Sequence, residues 1–306
     1  MSQARTAFVL VGPTAVGKTA VAHILARRSG HAILSADSML VYRGMNIGTA
    51  KPTPEERGDV AYYGIDLVDP DASFSVGGYL AAVQASLPED GEFIVAGGTG
   101  LFVRCLLQGL DPVPAANHEL RERAEAILEE AGVAGLQREL LAKAPAVYEQ
   151  VRDKENPRRL IRALEKAEAG TSAVGGWQGK PGPLVGLRTA PDVLARRIWA
   201  RVQAMFRGGL LDEARRLRDG PPLSKTALQA IGYAEAFAVL DGKMNEASAM
   251  DQAATRTRQL AKRQMTWFRN QANVDWIDVD DGADGEAVAN RVESAWKKYG
   301  PIPLSI

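Results

Sequence analysis

At 306 residues, 46% of them hydrophobic, the chain is long enough for one sizeable core plus a smaller satellite domain and too long for a single minimal domain. Charged residues make up 24%, with Lys+Arg and Asp+Glu balanced at 37 each, which excludes a disordered chain but not a nucleic-acid partner, since phosphates sense a basic patch within about 8–10 Å. The single cysteine, Cys105, sits in an apolar run; it excludes an internal disulfide framework or cysteine-based zinc site and points to a reducing, cytoplasmic setting.

Residues 6–11 are an apolar, β-prone run, too short for a signal-peptide core or a membrane span, so no targeting segment is expected. The run stops at Gly12, and 20–28 then reads as a helix. Between them Gly12-Pro13-Thr14-Ala15-Val16-Gly17-Lys18-Thr19 matches GxxxxGK[ST] in the strand–loop–helix context which that pattern requires. The glycines let backbone N–H groups turn onto phosphate oxygens, and the helix that follows offers its positive end. Lys18 adds a point charge, and the Thr19 hydroxyl suits a Mg²⁺ ion that also bridges phosphate oxygens. The pattern leaves open which phosphates are held.

A second apolar run, 31–35, ends in Ala36-Asp37-Ser38, and a third, 92–96, ends in Gly97-Gly98-Thr99-Gly100 before another apolar helical stretch. Strands alternating with helices predict a parallel sheet with helices on both faces, and ligands beyond the carboxyl ends of its strands, where Gly12–Thr19, Asp37 and Thr99 fall. An ATPase would end the 93–96 strand in a metal-holding aspartate; glycines and a threonine stand there instead, and the strand-end carboxylate is Asp37. Metal ligand, catalytic base and helix N-cap all remain open to Asp37 on local sequence. Thr99 could equally be a hydroxyl closing a glycine turn.

After 109–114 the character changes. From 117 to about 169 the chain is rich in Ala, Glu, Arg and Leu with helical periodicity, then closes in a glycine-rich stretch, 170–186. This predicts a helical insertion over 115–182 between core segments 1–114 and 183–306, with a hinge at its glycine-rich exit. From 192 onward the chain is helical again (192–219, 226–240, 244–272), followed by a strand at 274–279 and a final helix. Residues 193–272 hold 14 basic and 7 acidic side chains, and 253–272 five basic and no acidic. On a helix Arg258, Lys262 and Arg269 fall within about 40° of one another, with Arg256 and Arg263 nearly opposite. Two stripes predict two duties, one on RNA phosphates and one on the core or the diphosphate, or else two solvated faces.

Together these motifs resemble the bacterial tRNA dimethylallyltransferase family, also called isopentenyl-diphosphate:tRNA isopentenyltransferases. The matching segments are GPTAVGKT at 12–19, SADSMLVYRGMNIGTAKP at 35–52, VAGGTGLF at 95–102, NPRRLIRALE at 156–165, RVQAMFRGGLLDEA at 201–214, IGYAE at 231–235 and TRQLAKRQMTWFR at 257–269. They stand in the family's order and span most of the chain. The resemblance implies an α/β fold, a P-loop NTPase-like parallel sheet flanked by helices, with a helical insertion domain. It implies that Gly12 to Thr19 hold the diphosphate of dimethylallyl diphosphate, with Mg²⁺ as cofactor on Thr19, and that Lys18, Asp37, Thr99 and Arg201 form the catalytic set. Asp37 would be the general base and Thr99 would bond the diphosphate near the breaking bond. The acceptor implied is the exocyclic N6 amine of the adenosine 3′-adjacent to the anticodon of tRNA.

By the same resemblance, Asp37, Ser38, Met39, Leu40, Thr99, Arg121, Arg158, Arg159, Leu160, Ile161 and Arg162 would contact the tRNA. Arg258, Lys262 and Arg263 of the last long helix join them through the basic stripes. The expected protein is a cytoplasmic, monomeric transferase with no membrane partner. Phe102 departs from a frequent tyrosine of the family, and one cysteine cannot form the zinc finger that extends eukaryotic relatives. A kinase using ATP, a transferase prenylating free adenine nucleotides and a non-catalytic RNA-binding module remain alternatives; the insertion and the basic helix favour a large RNA over a free nucleotide.

Overall fold

The computed structural model describes residues 5–110, 118–170, 177 and 179–306. The chain forms two compact units, Met1–Gly109 with Gly179–Ile306, and Leu110–Gln178. It opens with β1 (Thr6–Val11), α1 (Lys18–Ser29), β2 (Ala32–Ser35), α2 (Pro54–Arg57), β3 (Tyr62–Tyr63), α3 (Val76–Ser86), β4 (Glu92–Gly97) and α4 (Gly100–Gln108). The smaller unit follows with α5 (His118–Lys143), α6 (Pro145–Gln150) and α7 (Pro157–Glu168). The larger unit resumes with β5 (Leu184–Arg188), α8 (Pro191–Arg207), α9 (Leu210–Arg218), a 3-10 turn at Ala227–Gln229, α10 (Tyr233–Leu240) and α11 (Glu246–Gln271). It ends in β6 (Val274–Asp278), α12 (Gly285–Tyr299) and β7 (Ile302–Pro303).

The expected parallel sheet flanked by helices is present. Six strands run parallel in the order β3-β2-β4-β1-β5-β6, while β7 lies antiparallel on the first residues of β1. The register aligns their carboxyl ends: Val11 pairs with both Gly97 and Gly186, and Ser35 with Ala96. The segments after Val11, Ser35 and Gly97 therefore leave the sheet side by side. The near-continuous apolar strands β1 and β4 are central, as strands covered on both faces must be. Leu10, Ile94, Val185 and Leu187 form one core with Val21 and Leu25 of α1 and Val292 and Trp296 of α12. Trp296 also donates its indole N–H to the Val9 carbonyl at 3.3 Å, so this large ring is buried without an orphaned donor. Among the described residues no helix is long and apolar enough to cross a membrane.

Three elements differ from the sequence expectation. β5 begins inside the stretch expected to be a glycine-rich exit, because Gly186 interrupts an otherwise apolar run. That glycine is a packing requirement: a Cβ there would come within 2.5 Å of Val274 and 2.8 Å of the Trp276 ring. The helix expected over 192–219 breaks into α8 and α9 at Gly208-Gly209, where Gly209 takes φ +97. The helix expected over 226–240 starts late, since Gly232 at φ +105 separates the 3-10 turn from α10.

The expected insertion of 115–182 compares with a smaller unit of Leu110–Gln178. The expected start at 115 and the glycine-rich exit at 171–176 and 178 lie outside the described residues. Within this unit α5 is broken at Gly132 (φ 64, ψ −165), and α7 presents Leu160, Ile161 and Leu164 to a core with Leu120, Leu136 and Leu140. Helix α7 starts sharply because Asn156 accepts the Arg158 N–H at its N-terminus and Pro157 occupies the first turn.

Candidate active site

The phosphate-loop motif connects β1 to α1. A Cβ on Gly12 (φ +146) would overlap the Leu187 carbonyl, and Gly17 (φ +102) occupies a left-handed conformation directly before the helix. Helix α1 has neither a side-chain cap nor an acidic residue in its first turn, so its positive end remains available to an anion. Lys18 is half-buried and donates to the Pro13 carbonyl at 2.6 Å, its ammonium arched over the loop. Loss of water lowers its pKa to about 7, an effect opposed by Asp37 and reinforced by the like charge of Arg201. Burial likewise lowers the pKa of Arg201, and Asp37 opposes it. Two cations and one carboxylate thus share a poorly hydrated space that a polyanion would neutralise.

That space is a cavity of about 1030 Å³, lined by the run from Thr14 to Thr19 together with Asp37, Leu40, Thr49, Arg201 and Gln264. Asp37 follows β2 and accepts the Met39 N–H on Oδ1 at 2.9 Å. No helix follows it, so the N-cap role open to it from the sequence is replaced by an Asx turn. Thr99 links the neighbouring strand end to this turn: its N–H donates to the Ala36 carbonyl at 3.2 Å, and its hydroxyl accepts the Ser38 N–H at 3.1 Å. Gly97 and Gly98, which lead into Thr99, line the cavity beside Asp37. Phe102 stacks on Tyr79 at 4.2 Å, and Tyr79 donates to the Ser35 carbonyl, so this aromatic pair supports the β2 end without a second hydroxyl.

Thr49, Ala50 and Pro52 form another part of the lining, and the segment that carries them is held by a buried carboxylate. Glu213 of α9 accepts N–H groups of Asn46, Ile47 and Gly48 and the Tyr233 hydroxyl, all within 2.7–3.2 Å. Gly48 must lack a side chain, because a Cβ would come within 2.5 Å of the Tyr233 ring. Buried Lys51 donates to Tyr42 and Asp66, each at 2.5 Å; burial lowers its pKa and Asp66 opposes the shift. Arg201 of α8 donates to the Thr49 carbonyl at 3.3 Å and so joins this wall to the phosphate side.

The residues expected on RNA divide by environment. Arg158 and Arg159 of the smaller unit are exposed, whereas Leu160 (0% exposed) and Ile161 (9%) belong to its core. Their side chains hold α7, and with it Arg158 and Arg159, in place. Arg121 and Arg162 both pair with the buried carboxylate of Glu165, at 2.8 and 2.6 Å. On α11, Arg258, Lys262 and Arg263 are exposed, but Arg256 pairs with buried Glu235 at 2.6 Å. Arg256 and Arg263, one stripe by angle, therefore have different surroundings, because α10 accompanies only part of α11.

Sequence reasoning missed Gln264. It is 9% exposed, lines the cavity and accepts the Thr14 N–H at 2.8 Å. Its signal was a glutamine placed at helical spacing within a buried series, Ala261, Gln264 and Phe268. Thr19, exposed on the cavity wall, and Asp37 supply a hydroxyl and a carboxylate; among the described residues no group of three or more His, Cys, Asp and Glu could hold a metal by itself.

The IPP transferase family profile matches residues 40–271, and the isopentenyl transferase profile matches 5–62. A tRNA dimethylallyltransferase of Stenotrophomonas maltophilia is 40% identical over 308 residues, covering 94% of this chain and 96% of its own. The solved tRNA isopentenylpyrophosphate transferase of Bacillus halodurans superposes with a TM-score of 0.65 at 35% identity, covering 97% of this chain and 98% of that one. A eukaryotic dimethylallyltransferase acting on tRNA superposes with a TM-score of 0.76 at 22% identity, covering 97% and 79%, and bears on the fold alone.

Proposed function

The chain belongs to the IPP transferase family and is a prenyltransferase, and from that premise we propose that it moves the dimethylallyl group of dimethylallyl diphosphate onto tRNA. The acceptor is the N6 amine of the adenosine 3′-adjacent to the anticodon, and the products are N6-isopentenyladenosine and diphosphate. The observation that carries this reading is the meeting of the phosphate loop, Asp37 and Arg201 around one cavity.

The donor's diphosphate lies against the N–H groups of the loop and the start of α1, with Lys18 and Arg201 facing the charge that grows as the C1–O bond breaks. An adenine amine is a weak nucleophile because its lone pair is shared with the ring. Asp37 accepts the N6 proton as the N–C1 bond forms, and its Asx turn together with the Thr99 hydroxyl fixes where that carboxylate stands. In this scheme Thr99 acts through the Asp37 turn as well as through its resemblance-based role at the diphosphate.

A magnesium ion takes oxygen ligands and binds through one or two protein groups plus substrate phosphates. The Thr19 hydroxyl, on the cavity wall beside the phosphate loop, suits that mode as the protein's ligand. When bound, such an ion would offset leaving-group charge.

Exposed Arg158 and Arg159 of the smaller unit, with Arg258, Lys262 and Arg263 of α11, supply the phosphate contacts for the anticodon stem-loop. Taking the target base out of its stack costs a few kcal/mol, which those contacts offset. The enzyme acts in the cytoplasm as a monomer.

Transfer of radiolabelled dimethylallyl to unmodified tRNA tests the reading. Wild type should transfer label, and Asp37→Ala should lose at least ~100-fold in rate while keeping tRNA affinity. Hydrolysis or consumption of ATP with no prenyl transfer would instead identify a kinase-like enzyme.

A further inference from the structure

Helix α11 brings one polar side chain into the sheet end. Gln264 Oε1 accepts the N–H of Thr14, the third residue of the phosphate loop, at 2.8 Å. Its amide nitrogen lies against Gly98, where an added Cβ would overlap it, and that same Cβ would stand 3.3 Å from the Gly12 carbonyl oxygen. Three residues further on, Trp267 covers Gly100 so closely that a Cβ there would overlap its indole ring. The glycines on either side of Thr99 are thus the seats on which α11 docks.

The phosphate loop needs such an anchor. Gly12, Ala15 and Gly17 all have positive φ, a backbone that surrounding structure must hold in place. We propose that Gln264 is a positioning residue for the donor: it ties the phosphate loop to the Thr99 turn and takes the Thr14 N–H out of the cradle. The diphosphate is then held by the N–H groups that follow, from Ala15 to Thr19. The inference rests on the prenyl-transfer reading for the identity of the donor. Its neighbours Lys262 and Arg263 are exposed and expected on RNA, whereas Gln264 faces inward, so its removal should affect the donor side and spare the tRNA side.

The test compares wild type, Gln264→Met and Gly98→Ala. Methionine keeps approximate volume and lacks a good acceptor; alanine at 98 pushes the amide off Thr14 from the other side. Calorimetric titration with inorganic pyrophosphate and magnesium should show about tenfold weaker binding for each variant. The KM for dimethylallyl diphosphate should rise by a similar factor, with the KM for tRNA within about twofold. Adding Gly98→Ala to Gln264→Ala should weaken pyrophosphate binding little further, because the hydrogen bond to Thr14 is already absent. Unchanged pyrophosphate affinity in Gln264→Met and Gly98→Ala would overturn the proposal, as would a rise confined to the tRNA KM. If wild type binds pyrophosphate but transfers no prenyl group, the reaction reading fails, while the affinity comparison still decides the role of Gln264.

Discussion

Lys18 is a base awaiting a partner. Its pKa of about 7 belongs to the ligand-free cavity, where lost hydration outweighs the attraction of Asp37. A bound diphosphate adds negative charge beside it and raises that pKa, so the complex holds more protons than the free protein above pH 7. The sign follows: pyrophosphate affinity should fall as pH rises from 7 to 9, with proton uptake on binding. Titrations in two buffers of different ionisation heat measure that uptake, and Lys18→Met controls for the ligand's own titration; equal proton uptake in both proteins would contradict the assignment. At this scale the phosphate loop was legible because its pattern is local. The turn at Asp37 was not, since an aspartate before Ser38 suits a helix cap until the following chain is seen to turn. Gln264 was hidden further, its partner Thr14 being 250 residues away.

Helix α9 shows what an element of nine residues can do. It lifts Glu213, 2% exposed, under the backbone of residues 46–48, where the carboxylate replaces water for three N–H groups and one hydroxyl. Glu213→Ala strands these donors and should lower stability by about 3 kcal/mol in urea denaturation. In sequence Glu213 sits between Asp212 and Ala214 with nothing to separate it from a solvated acid; only the tertiary seat on the 46–48 turn distinguishes it. Helix α11 divides its basic residues in a comparable way. Lys262→Ala and Arg263→Ala should each weaken tRNA binding and reduce the slope of log affinity against log salt by roughly 0.7–0.9 for each phosphate left without its cation. Arg256→Ala should leave that slope unchanged and cost stability, because it removes the partner of buried Glu235. Angles on a helical wheel placed Arg256 and Arg263 together; the neighbour on each turn separates them. β5 escaped notice for a related reason, since the glycine that suggests a linker is the one that admits the Trp276 ring.

At the scale of the whole molecule, alternation of strands and helices was enough to foresee the sheet, because each strand carries its own apolar run. The smaller unit, Leu110–Gln178, was legible in outline from the change of composition after 109–114 and the glycine-rich stretch that follows it. Every residue lining the cavity belongs to the larger unit, and Arg104 of α4 donates to the Gly179 carbonyl at 2.9 Å, close to where the chain re-enters. Replacing 110–178 with a short linker should therefore preserve pyrophosphate affinity within about threefold while abolishing transfer to tRNA, which titration and the label assay would separate. The strand order has a consequence in time. β1 is made before each of its partners, β4, β5 and β7, joined through pairs such as Val11 with Gly97, Leu10 with Val185 and Thr6 with Pro303. The edge of β1 that faces β5 therefore stays open through synthesis of the entire inserted unit. Such distant pairings slow folding and leave a nascent chain open to aggregation, so the centre of this sheet is completed only after β5 has been made.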